Sequence, residues 1–113
     1  MSEITIMMSF PMKGKTREQI DEEMANMVDL VWNIYPDACI INSVIENPEE
    51  KTELECFSES IFHMSQSNIL AMGHGWENAR GCKLEHEIAK AYNMPIVYLD
   101  ELKEENKEIK EKK

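Results

Sequence analysis

Four short apolar runs, EITIMMS (3–9), ACIIN (38–42), NILAM (68–72) and PIVYL (95–99), alternate with three longer segments of helical spacing. Nothing else in the sequence constrains the fold as strongly. Each run is too short for a packed helix, and each gap is long enough for a helical crossover. The runs therefore read as strands of a parallel sheet covered by helices on both faces. The expected class is α/β, a small flavodoxin-like three-layer sandwich with four or five parallel strands. The continuous apolar character of ACIIN predicts a strand buried on both faces.

The intervening segments carry their own start and stop signals. Thr16, with Gln19 three residues later, predicts a helix N-terminus, and Ile20, Met24, Met27, Val28 and Val31 then fall on one face until Tyr35-Pro36 stops it. After a polar loop containing Asn47-Pro48, Thr52 opens a second helix through Leu54, Phe57, Ile61, Phe62 and Met64. The spacing predicts a third helix over 81–92, with Leu84, Ile88, Ala89 and Tyr92 along its core face.

A chain of 113 residues supports a single core. We assign the domain to residues 1–100 and a charged tail, helical or disordered, to 101–113, where five Glu and five Lys surround only Leu102 and Ile109. The tail is neutral, so the whole net charge of -10 lies in residues 1–100. That field repels phosphate backbones and argues against duplex nucleic acid as a partner. No apolar run is long enough to cross a bilayer, so no membrane partner is expected. Glu3 precedes the first apolar run and no basic region leads it, so the N-terminus does not read as a signal peptide. Three cysteines, Cys39, Cys56 and Cys82, make no disulfide framework and fit a reducing, cytoplasmic setting.

In open parallel sheets ligands bind beyond the carboxyl ends of the strands. Two loops stand there. SFPMKGKT (9–16) follows the first strand and concentrates Lys13, Lys15 and Arg17 in an otherwise acidic chain, which suits an anion at a helix N-terminus. Its Gly14-Lys15-Thr16 ends like a P-loop. However, Ser9 stands where the leading glycine belongs and Pro11 removes a backbone donor, so a nucleoside triphosphatase is not expected.

The second loop, GHGWENARGC (73–82), holds three of the four glycines, allowing a ligand close to the backbone. Trp76 offers either a stacking surface or a lid on the core. Arg80 can hold a phosphate or carboxylate, or form a salt bridge. Cys82 and His86 are four apart on the third helix, with His74 before them, an arrangement open to a cysteine–histidine pair or a partial metal site. Glu85 near the start of that helix is expected to be favoured in its ionised form by the helix dipole. That suits a nucleophile better than a general acid.

SFPMKG after the first strand, together with GWENARGCKLEHEIAKAYNMPIVYL, resembles the nucleoside 2-deoxyribosyltransferase-like superfamily, and within it a small branch found in bacteria and phages. The resemblance implies a flavodoxin-like fold, a small-molecule nucleoside or nucleotide as ligand, no cofactor or metal, and assembly as a homo-oligomer. It implies that Glu85, four residues after Gly81, attacks C1′ of the nucleoside, as in a retaining glycosidase. It also implies that Ser9, Phe10, Met12, Gly14 and Lys15 hold the sugar or a 5′-phosphate, with Gly75, Trp76, Asn78, Arg80 and Gly81 completing the site and Trp76 or Phe10 facing the base. The sequence departs from the superfamily pattern at Phe10, usually Gly; at Met7, often Tyr; at Asn68, in the region of an Asp; and at Ala79, usually Ser. Without that Asp, the base's proton would fall to Glu77, His74 or Asn78. A non-catalytic module that binds a nucleotide on the same fold is the alternative.

Overall fold

The computed structural model describes residues 4–102. β1 (Thr5–Ser9), α1 (Arg17–Ile34), β2 (Cys39–Ile41), α2 (Glu53–Ser65), β3 (Ile69–Met72), α3 (Arg80–Ala91) and β4 (Ile96–Tyr98) follow in the expected alternation. Two 3-10 turns, Pro48–Glu50 and Trp76–Asn78, lie in the loops before α2 and α3. The four strands form one all-parallel sheet in the order β2-β1-β3-β4, which is the flavodoxin-like order. Residues 99–102 continue as a helical turn, and the remainder of the assigned tail, 103–113, lies outside the described residues.

Side chains alternate across the sheet and so divide the core in two. Ile6 and Met8 of β1 with Ile69 and Ala71 of β3 pack under Met27 and Val31 of α1, joined by Leu99 and Leu102. Met7, Leu70 and Met72 point the other way, under Met64 of α2 and Cys82 and Ala89 of α3. Helices thus cover both faces. Both α1 and α2 begin with reciprocal capping boxes: Thr16 with Gln19, and Thr52 with Glu55. α1 ends at Tyr35, before Pro36, as expected.

Two expectations are corrected. β2 is an edge strand, with Cys39 exposed and Ile40 and Ile41 only half-buried, so its apolar run reflects one covered face rather than two. The core face of α3 is also different. It comprises Cys82, Glu85, His86 and Ala89, while Leu84 and Tyr92 are exposed at 45% and 82%. The helix lies over the polar ends of β1 and β4, and those partners decide which side turns inward.

Candidate functional site

The strand order reverses between β1 and β3, and the crevice at their carboxyl ends is where such sheets bind ligands. Ser9, the last residue of β1, points to the α3 face and is 2% exposed. Its hydroxyl donates a 2.9 Å hydrogen bond to Oε1 of Glu85, itself 6% exposed. No buried side-chain oxygen among the described residues lacks a partner, and Ser9 is the one bond Glu85 makes among them. The second oxygen, Oε2, makes no hydrogen bond among the described residues and is not fully enclosed. One oxygen is fixed and the other is presented, which is the arrangement an attacking or proton-accepting carboxylate needs.

The ionisation of Glu85 runs opposite to the expectation. Burial pushes its pKa up to about 7, with the Ser9 hydrogen bond opposing the rise. α3 begins at Arg80, so Glu85 is its sixth residue and lies past the first turn, where the helix dipole acts. Desolvation wins. A carboxyl shifted in this direction holds its proton more tightly than an exposed one, which suits proton transfer near neutral pH.

Cys82 stands one turn earlier on the same face. Burial raises its thiol to about 11, with the Glu85 charge adding and Ser9 opposing, so the protonated, non-nucleophilic form prevails at neutral pH. His86 does not serve it, since its Nε2 is 2.7 Å from the Tyr98 hydroxyl. Trp76 stacks on the His86 ring with centroids 4.3 Å apart. His74 is exposed, with Nδ1 3.0 Å from Asp100. The cysteine–histidine pair is thus not formed. Among the described residues, no group of three or more His, Cys, Asp or Glu side chains is placed to hold a metal.

The other residues singled out from the sequence divide in two. Trp76, Gly75, Asn78, Arg80 and Gly81 gather around the start of α3. Gly75 precedes the Trp76 turn with φ +80°, a conformation that favours glycine. Gly81 has open space where a Cβ would stand, so neither packing nor strain requires a glycine there. Gly73 is the contrast: a Cβ would come within 2.7 Å of Phe10 Cβ and 3.0 Å of Met27 Cε. Arg80 is exposed and ion-paired with Glu53 of α2, whose carboxylate also meets Lys13 at 3.7 Å.

The first loop turns toward α1 instead. Phe10 is buried in the α1-side core with Met12 packed against it, so it fills space rather than facing a base. Gly14 makes a turn at φ +83°. Lys15 folds back to Glu23 at 2.6 Å, on a polar groove along α1 also lined by Gln19, Glu22 and Asn26. Of this loop's candidates, Ser9 alone joins Glu85.

The departures from the superfamily pattern also find places. Asn68 lies at the opposite, amino end of the sheet, where its Oδ1 accepts from Thr5 N at 2.8 Å; it has no access to a proton at Glu85. Met7 is core beneath α2 and α3. Ala79 leaves α3 without a side-chain cap. Tyr98 carries no sequence signal as a site residue, and His86 enters the sequence reading only as a partner for Cys82, not for Tyr98. The signal for His86 was a buried-face spacing that joins it to Glu85 and Cys82.

Fold and site together define a doubly wound α/β protein with a buried carboxylate at its switch point. The chain belongs to the family described as domain of unknown function DUF4406, whose profile matches residues 9–98. That span begins at Ser9 and ends at Tyr98, the two strand-end residues that hold α3. No curated protein matches the sequence at a significant level. No helix among the described residues is long and apolar enough to cross a membrane.

Proposed function

We propose that this protein cleaves or transfers the N-glycosidic bond of a nucleoside or nucleoside 5′-monophosphate, with Glu85 as the nucleophile at C1′. The observation that carries the reading is the buried Ser9–Glu85 pair, with one carboxylate oxygen held and the other presented. The resemblance to the nucleoside 2-deoxyribosyltransferase-like superfamily supplies the chemistry. The carboxylate attacks C1′ as the base departs, a glycosyl-enzyme forms, and water or a second base takes the sugar. Ser9 steadies the carboxylate, and Trp76 offers a flat wall to the base. Arg80 and the uncapped N-terminus of α3 suit an anionic group such as a 5′-phosphate. Glu53, ion-paired to Arg80 and Lys13, must give way for such a group to bind them. Exposed Leu54 and Phe62 on α2, Leu84 on α3 and Tyr92 just after it support assembly with a second copy.

The test is free-base release from a panel of nucleosides and 5′-monophosphates, comparing wild type with Glu85→Gln. Release by wild type that is lost in the variant supports the reading. Saturable nucleotide binding without release would replace it with a non-catalytic nucleotide-binding module.

A further inference from the structure

The chemistry proposed above uses Glu85 and leaves unexplained the buried imidazole beside it on α3, His86. A buried imidazole costs desolvation unless it is hydrogen-bonded, so a residue that merely filled this space would be apolar. His86 instead joins three elements. Its Nε2 lies 2.7 Å from the Tyr98 hydroxyl at the end of β4. The Trp76 indole, from the 3-10 turn before α3, stacks on its other side at 4.3 Å with an interplanar angle of 26°. Trp76 and Tyr98 are themselves 6.0 Å apart, centroid to centroid.

The sheet register gives this chain of rings its place. Ser9 pairs with Met72, and Met72 pairs with Tyr98. Ser9 and Tyr98 therefore occupy one row on the same face, two strand spacings or about 10 Å apart. Consecutive residues of α3 reach them: Glu85 goes to β1 and His86 to β4. The helix is fastened over the strand ends at two adjacent points, one of which carries the reactive group. The turn that bears Trp76 is closed by backbone hydrogen bonds, which fix its main chain but not the direction of the indole. It spans three residues, follows a glycine at φ +80°, and has no side-chain cap. The indole packs at the edge of the α2–α3-side core, and the flat surface it lies against is the His86 ring.

We propose that His86 is a positioning residue: bonded to Tyr98, it forms the floor that fixes the Trp76 indole at the rim of the Ser9–Glu85 site, so that a planar ligand group meets a wall already in place. This rests on the reading of that site as one for nucleoside-like ligands. A preset wall lowers the ordering cost of binding, so its loss weakens binding and leaves the bond-breaking step intact.

Tyr98→Phe removes one hydroxyl and keeps the ring; His86→Leu removes the floor's polarity and its flat stacking surface. In a Trp32→Phe background Trp76 is the single indole, because the chain has two tryptophans. Both variants are expected to raise acrylamide quenching of Trp76 about twofold while the protein still unfolds cooperatively. They should also raise KM for base release about tenfold with kcat within about twofold. Unchanged quenching in a folded Tyr98→Phe protein overturns the proposal, as does quenching that rises with KM unmoved. If His86→Leu does not fold, Tyr98→Phe decides alone. Quenching needs no substrate, so its failure is distinct from failure of the glycosidic reading, which shows as no base release by wild type. In that event the quenching result stands as the test.

Discussion

Helix α1 buries what its own periodicity offers, placing Met27 and Val31 inside with Ile20, Met24, Val28 and Leu30 packed around them. Helix α3 turns a carboxylate, an imidazole and a thiol inward and leaves Leu84 and Tyr92 in solvent. Both lie on the same sheet, on opposite faces. Their difference shows where this fold is built for stability and where local rules are broken for another purpose. Burying a carboxyl without a cationic partner is costly, and Ser9 alone offsets it. Such departures from local consistency concentrate at functional sites. On that inward face, Cys82 and Ala89 join the apolar core on either side of Glu85 and His86.

The largest effect that separates the two helices is on activity. Glu85→Gln keeps the shape and the Ser9 contact but removes the ionisable group, and is expected to lower base release about 10³-fold or more. Met27→Ala in α1 is expected to cost about 3 kcal/mol of stability at every pH, read by urea denaturation, with kcat unchanged. If Met27→Ala altered the pH profile of turnover, the division between the helices would fail.

A smaller effect sharpens the comparison. Ser9→Ala removes the hydrogen bond that favours the charged form of Glu85, so its pKa should rise further. The acidic limb of kcat/KM, along which activity is lost as Glu85 takes up its proton, is expected near pH 7 for wild type and should move up by about one pH unit. An unmoved limb would detach Ser9 from the ionisation of Glu85. The smallest effect concerns Gly81. A Cβ there meets open space and an alanine suits a helix better, so Gly81→Ala should stabilise the fold by about 0.5–1 kcal/mol. If a ligand approaches that backbone, the same substitution should raise KM.

The sequence made α1 legible because its signals are local. The Thr16–Gln19 capping box, the apolar spacing and the Tyr35-Pro36 stop all lie within the segment they define. The strand alternation was legible for the same reason, and the parallel order follows from the crossovers it requires. The inward face of α3 was not legible, because its partners are remote. Ser9 is 76 residues before Glu85, and Tyr98 pairs with His86 only through the return of β4. Periodicity ranked Leu84 and Tyr92 above Glu85 and His86 because it scores side chains without knowing what they meet. The pKa of Glu85 departs from the dipole expectation for a related reason: the dipole is a local property of the helix, whereas burial is a property of the whole fold. Phe10 shows the converse, since a residue in a loop next to Ser9 belongs to the opposite face and to the α1 core.

The most direct test of the buried carboxylate compares the pH dependence of stability in wild type and Glu85→Gln. The folded pKa of Glu85 is raised from 4.5 to about 7, so the folded protein binds its proton more tightly than the unfolded chain does. Its contribution is fully present below pH 4.5 and is lost as pH rises through about 7. The many surface carboxylates are common to both proteins and cancel in the difference. By urea denaturation, the two should be nearly equal in stability at pH 4.5. The variant should be the more stable at pH 8, by about 3 kcal/mol at most. Parallel stability curves across that range would show that Glu85 is not held in the buried, strained ionisation on which the account depends.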